Sequence, residues 1–257
     1  MLRVGLTGGL GSGKSTAARL LAQHGAYILE ADAIGREMMQ PGEAVYDAIV
    51  ERFGPGVLLA DKQLDRAALA RIAFTEGRVD ELNAIVHPAV IAEQAAIAQE
   101  IFAEDWKAVV IVESALIFET KYGETKHDGP AEEDNAPWRS RFDCIILVTA
   151  PEEVKIARYL ERVAAGSPPS AERREELTAD ARRRLSQQIP DEEKAALCDF
   201  ILVNDGDLEA LEQQIDELWP LLEFASANDP EANVSYPEDD SEADLENDSD
   251  GDSEHDL

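Results

Sequence analysis

Leu2-Arg3-Val4-Gly5-Leu6 runs directly into Thr7-Gly8-Gly9-Leu10-Gly11-Ser12-Gly13-Lys14-Ser15-Thr16, and an amphipathic stretch, Ser15–His24, follows until Gly25 stops it. A short apolar strand, a glycine-rich turn closing on Lys-Ser and a helix together make a phosphate-binding loop. Glycines let backbone N–H groups turn inward around an anion, and the N-terminus of the helix adds its dipole. The pattern assigns each residue a task. Gly9, Leu10, Gly11, Ser12 and Gly13 supply the cradle, and Lys14 reaches the β- and γ-phosphates of a nucleoside triphosphate. Ser15 places its hydroxyl on Mg²⁺, and Thr16 donates on the α-phosphate side. A chance glycine turn with a solvated Lys14 would account for neither the strand before it nor the helix after it.

Working outward, further apolar runs stand at Ala26–Glu30, Ala108–Val112, Cys144–Val148 and Phe200–Val203, each meeting a polar or glycine-containing loop. Strands buried on both faces read as continuous apolar runs, and helical intervals between them supply parallel crossovers. The expected fold is α/β: a doubly wound five-stranded parallel sheet of the P-loop kinase type. Two intervals are too long for simple crossovers. Residues 33–107 hold helical patterns at Asp65–Phe74 and Val86–Phe102, and are expected to form a helical insertion covering one side of the site. Residues 151–190 hold two helical patterns about a hinge-like break: Glu152–Arg162, then Ala165-Gly166-Ser167-Pro168-Pro169, then Glu172–Gln188. A last helix is expected from Leu208 to Leu222 with Asp207 as its cap. Residues 120–140, with Gly123, Gly129, Pro130 and Pro137 among charges, read as a long surface loop.

The chain carries 23 basic and 54 acidic residues, a net charge of −31. A nucleic-acid binder needs a positive field to neutralise phosphates, so nucleic acid and anionic membrane surfaces are expected to be absent from its partners. Residues 227–257 hold 13 acidic side chains and no Lys or Arg, leaving −18 on residues 1–226. Such a tail has almost nothing to bury, and disorder is expected for it beside a kinase domain at 1–226. Cys144 and Cys198 are too few for a disulfide framework and are expected as free core thiols. The opening residues lack a signal-peptide pattern, and no apolar run is long enough to span a bilayer. A cytoplasmic protein is expected, as a monomer or weak homo-oligomer.

The acceptor is the harder question. Glu30-Ala31-Asp32 closes the second strand, and carboxyl ends of parallel strands open onto one crevice. Asp32 can therefore face the γ-phosphate and accept a proton from an attacking hydroxyl, as a kinase base does. It could also cap a helix beginning at Ala33, and the two roles could coexist. Arg158 and Arg162 lie i,i+4 on one helix face and could close over a transferring phosphoryl group, or pair with Glu161 on a solvated face. Arg182, Arg183 and Arg184 raise the same question, since at most one or two of them can face inward. There is no Asn-Lys-x-Asp string for reading guanine, and Ile111-Val112-Glu113-Ser114 stands where a GTPase switch would carry Asp-x-x-Gly. A small-molecule kinase fits these signals.

Over about residues 2–222 the chain resembles the dephospho-CoA kinase family. The likeness begins with Leu6–Thr16 and continues where the family has Asp-Ala-Asp and this chain Glu30-Ala31-Asp32. It extends through Phe53-Gly54, Leu64-Asp65-Arg66, Leu69, Phe74, Asn83 and His87-Pro88. The family's Pro-Leu-Leu-Phe-Glu is similar to Ala115-Leu116-Ile117-Phe118-Glu119, and its lid Arg-x-x-x-Arg falls on Arg158 and Arg162. An Arg four residues before a Gln falls on Arg183 and Gln187, and the closing pattern on Cys198–Gly206. The resemblance implies ATP- and Mg²⁺-dependent phosphorylation of the ribose 3′-hydroxyl of dephospho-CoA, with Asp32 as base and Lys14 and Arg158 as catalytic cations. It also implies a helical substrate-binding region at 33–107 and a lid at 151–190, substrate contacts from Asp32, Arg66, His87 and Glu119, and nucleotide contacts from Arg162, Asn204 and Gly206. Glu30 and Ala115 depart from the family pattern without removing a chemical group, whereas Val163 and Pro168-Pro169 alter its lid. A nucleotide kinase would share loop, base and lid. A non-catalytic nucleotide-binding regulator would keep the loop, could dispense with the base, and would use the acidic tail to recruit partners.

Overall fold

The structure, a computed structural model, describes residues 1–119, 138–164 and 169–228, apart from the Phe74 side chain. Most of the expected surface loop at 120–140, much of the break at 165–169 and the acidic tail beyond residue 228 lie outside the described residues.

Strands β1 (Leu2–Thr7), β2 (Tyr27–Glu30), β3 (Val109–Glu113), β4 (Cys144–Thr149) and β5 (Phe200–Val203) form one sheet in the order β2-β3-β1-β4-β5. Every pairing is parallel. Both central neighbours of β1 are apolar runs buried on two faces, as parallel strands under helices on both sides must be. Register aligns the carboxyl ends: Leu6 and Glu30 both pair with Glu113, Thr7 with Leu147, and Thr149 with Val203. Four strand ends and the glycine loop therefore surround one crevice. At the edge, β5 is blunted by Gln214, whose side-chain amide takes both the N–H and the carbonyl of Val203 at 2.8 and 2.9 Å.

Helices α1 (Lys14–Gln23) and α9 (Leu208–Ala227) cover one face of the sheet, with Val4, Leu6, Leu21 and Ile215 fully buried between. Helices α2 (Ala31–Met38) and α5 (Val79–Glu104) cover the other face around Val110 and Ile145. The inserted region adds α3 (Ala44–Phe53) and α4 (Arg66–Ala70), which build their own small core on Ile49 and Val57. Helices α6 (Glu152–Ala164) and α7 (Ala171–Ser186) pack as a pair on Ile156, Tyr159, Leu177 and Ala181. The short α8 (Asp191–Ala195) links them to β5.

Several boundaries differ from the sequence reading for identifiable reasons. The expected helix at Val86–Phe102 begins seven residues earlier, at Val79, and carries Pro88 inside it. Proline disfavours a helix interior through its missing N–H and its ring. Here packing of Val86 and Val90 on Gly35 of α2 outweighs that local cost. The pattern at Asp65–Phe74 divides into α4 and a π-helical turn, with Asp65 capping α4 by accepting from Ala67 and Ala68 N–H. Asp207 caps α9 as expected, but that helix runs on to Ala227, because Leu222 and Ser226 both remain buried. Cys144 and Cys198 are unbonded and only half-buried, and burial pushes both thiols up to about 12. Among the described residues, no helix is long and apolar enough to cross a membrane.

Candidate functional site

The glycine loop is held by neighbours that leave no room for side chains. Gly11 and Gly13 adopt φ values of +73° and +96°, a region that L side chains rarely enter. A β-carbon on Gly11 would run into the Lys155 carbonyl, and one on Gly13 into the Asn204 side-chain amide. Asn204 is buried at the end of β5 and donates through Nδ2 to the Ser12 carbonyl at 2.8 Å. Arg158 of α6 in turn donates to the Asn204 carbonyl at 2.8 Å and to its Oδ1 at 3.1 Å. Helix α6, the end of β5 and the loop are thus joined in one hydrogen-bonded chain. Arg158 is engaged at the loop and does not pair with Glu161.

Lys14 curls over the loop, donating from Nζ to the Gly8 carbonyl at 2.8 Å and to that of Gly9 at 3.4 Å. Burial pushes its pKa down, the nearby Glu113 and Asp32 carboxylates oppose that shift, and the charges on Lys194 and Arg162 reinforce it. Ser15 Oγ donates to Glu113 Oε1 at 2.8 Å. Burial raises the Glu113 pKa against the pull of Ser15 and Lys14, with Glu30 and Asp32 raising it further. Lys14, Ser15, Glu30, Asp32 and Glu113 therefore share one electrostatic neighbourhood across the ends of β1, β2 and β3. Glu30 and Glu113 are the members not assigned a site role from sequence, and Glu113 is the one bonded to the loop. Its signal was its place as the last residue of the strand paired with β1. The hydroxyl of Ser15 and the carboxylate of Glu113 are hard oxygen donors, and fit Mg²⁺ shared with nucleotide phosphates.

The structure removes one of the two readings of Asp32. Helix α2 starts at Ala31, its N-cap position is Glu30, and no side chain caps it. Asp32 lies inside the first turn, exposed, so it is not the cap of a helix beginning at Ala33.

The remaining expected residues are dispersed. Arg162 is exposed, with its guanidinium 5.7 Å from the Tyr159 ring. Arg183 and Arg184 both pair with Asp180, which also accepts from the Tyr159 hydroxyl, and Arg182 reaches Glu152 at 3.6 Å. All three arginines are exposed. Gln187 is exposed as well, and the next residue, Gln188, is the one that reaches the loop, its Oε1 accepting from Leu10 N–H at 3.2 Å. Glu119 is committed to the protein itself: Oε1 lies 2.9 Å from Nζ of the fully buried Lys194 and accepts from Ile189 N–H. His87 sits half-buried on α5, its pKa lowered by burial and then by the Arg141 charge. Arg66 is exposed at the first turn of α4, and Gly206 is exposed in the turn before α9.

Comparison with known proteins places the fold and the sequence in a family. The family model for dephospho-CoA kinase matches residues 2–128. A dephospho-CoA kinase of Thermobifida fusca is 36% identical over 224 residues, covering 87% of this chain and 97% of the relative. That of Geobacter metallireducens is 37% identical over 220 residues, covering 85% and 96%. A crystal structure from Thermus thermophilus superposes with a TM-score of 0.61 at 31% identity, over 86% of this chain and 97% of the other. A dephospho-CoA kinase from Campylobacter jejuni has the same fold at 22% identity and a TM-score of 0.51, over 86% and 96%. With more than nine-tenths of the Thermobifida and Geobacter relatives' length matched at 36% and 37% identity, the chain belongs to the dephospho-CoA kinase family.

Proposed function

We propose that this chain transfers the γ-phosphoryl group of ATP to the ribose 3′-hydroxyl of dephospho-CoA, giving coenzyme A and ADP. One observation carries the reading: the phosphate loop with Lys14, the Ser15–Glu113 pair and Asp32 meet at the ends of three adjacent strands. Asp32 takes the proton from the 3′-hydroxyl as its oxygen attacks phosphorus. Lys14 leaves the loop carbonyls for the β- and γ-phosphates, where negative charge is spread over the transferring oxygens. Ser15 and Glu113 would hold Mg²⁺, which would neutralise phosphate charge. Arg158 orients the loop through Asn204. Arg162, exposed on the same helix face, is the lid cation that can swing onto the phosphoryl group. The helical region of residues 33–107, with Arg66 and His87, supplies the acceptor side. Steady-state assays with Mg²⁺ and ATP against dephospho-CoA, adenosine, AMP, CMP and pantetheine compounds test the reading. Turnover with dephospho-CoA far above the others is expected. Preference for AMP or CMP would make the chain a nucleotide kinase, and no turnover with any acceptor would leave only a nucleotide-binding role.

A further inference from the structure

The loop has a second buried lysine beside it. Lys155, on the first turns of α6, has only 8% of its side chain exposed, and its Nζ lies 2.5 Å from Asp191 Oδ2. The same Oδ2 accepts from the Thr149 hydroxyl at the end of β4. Asp191 thus fastens the ammonium between α6, β4 and α8. An ammonium has three N–H donors. Among the described residues Asp191 is the one acceptor that Lys155 meets, so two donors of a buried cation have no protein partner. Their surroundings are informative. Lys155 Nζ and Gln188 Oε1 each lie 3.4 Å from the position that a β-carbon on Gly9 would occupy, and Asp191 Oδ1 lies 3.5 Å from it. Gln188 Oε1 is also the acceptor for Leu10 N–H. An amide of the phosphate loop is therefore satisfied by a neutral side-chain oxygen, and a cation with donors to spare lines the same side of the neighbouring Gly9.

Loop amides of this type bind phosphate oxygens. An anionic oxygen that replaced Gln188 Oε1 on Leu10 N–H would come within reach of Lys155 at the cost of one neutral hydrogen bond. We propose that Lys155 is a second phosphate-contacting cation of this loop, positioned by Asp191 and Thr149. It engages the terminal phosphoryl group of a nucleoside triphosphate when Gln188 releases Leu10. The inference rests on the reading of the loop as a triphosphate site and is independent of which acceptor is phosphorylated.

The rival explanation is a buried ion pair that serves packing alone. Replacing both members of such a pair with neutral groups is often harmless, whereas removing one strands the other's charge. The double variant K155M/D191N therefore separates the two, and remains informative if K155M alone does not fold. Binding of ATP and of ADP, each with Mg²⁺, is measured by calorimetry on the full chain without acceptor. The expected result is an ATP affinity lowered about 10–100-fold in K155M/D191N, the range of a charge-assisted hydrogen bond. ADP affinity stays near that of the unmodified protein, so discrimination for the third phosphate collapses. Wild-type ATP affinity in the double variant would overturn the proposal, and so would equal losses for ATP and ADP. Failure of the unmodified protein to phosphorylate dephospho-CoA would instead count against the acceptor assignment, and leaves the ATP-to-ADP ratio readable.

Discussion

Asn204 Nδ2 donates a 2.8 Å hydrogen bond to the Ser12 carbonyl, and by doing so occupies the space that a side chain on Gly13 would need. The end of β5 thereby shapes a loop nearly 200 residues earlier in the chain. Gly13→Ala would meet Asn204 and also demand a φ of +96° from an L residue. We expect a stability cost of about 1–3 kcal/mol, the usual size for such backbone strain. ATP affinity should fall by more than tenfold, because the shifted loop misdirects its amides. Calorimetric ATP binding beside thermal unfolding measures both, and unchanged ATP affinity would show the loop to be tolerant at this position.

Asp32→Asn isolates the proton-accepting role, because the structure has removed the capping alternative. The amide keeps the size of the side chain and the helix start at Ala31 does not depend on it. Stability should be unaffected. Positioned proton transfer contributes about 10²–10⁴ in rate, so kcat and kcat/KM with dephospho-CoA should fall together by that factor. Near-normal kcat would move the base elsewhere, with Glu30 and Glu113 next in line.

Glu119 offers a different contrast. Its carboxylate holds Lys194, whose side chain is fully buried and otherwise reaches the Ala115 carbonyl at 3.3 Å. Glu119→Ala leaves that ammonium without its counter-charge. Loss of one partner from a buried pair costs about 3–5 kcal/mol, and denaturant unfolding should show a loss of that order. KM for dephospho-CoA in the folded variant should be little changed. A large rise in KM with stability intact would restore Glu119 to the substrate.

The helical insertion carries a pH signature. Glu81 accepts from Arg78 at 2.9 and 2.7 Å and from Arg52 at 2.7 Å. Hydrogen bonds from Arg78 first, and then Arg52, hold its carboxyl down at about 2 from an ordinary 4.5. A carboxyl depressed by folding stabilises the folded state above its unfolded pKa, and that contribution is lost as pH falls through the folded value. The stability difference between the unmodified protein and Glu81→Gln should therefore be constant above about pH 4.5 and shrink towards pH 2. Urea midpoints across that range check it. A difference that grows on acidification would contradict the assigned direction.

What the sequence determined by itself was everything carried by short-range pattern. Leu2–Thr16 specifies strand, loop and helix within one stretch of backbone, since apolar runs must be buried and a Gly-rich turn ending in Lys-Ser suits little else. The five strands, the Asp207 cap and the existence of a helical insertion followed from the same local signals. Contacts between distant segments were decided only by the tertiary structure. Nothing near Glu113 announces Ser15, nothing near Asn204 announces Ser12, and Lys155 meets Asp191 because α6 and α8 flank the end of β4. Long-range packing likewise carried α5 through Pro88, against the local preference. One residue of phase decided the loop's acceptor: Gln188 and Gln187 are adjacent in sequence, but only Gln188 faces Leu10, because successive positions at the end of α7 point in different directions. Local pattern decides which elements form. Parallel register and the close approach of strand ends decide which side chains can act together.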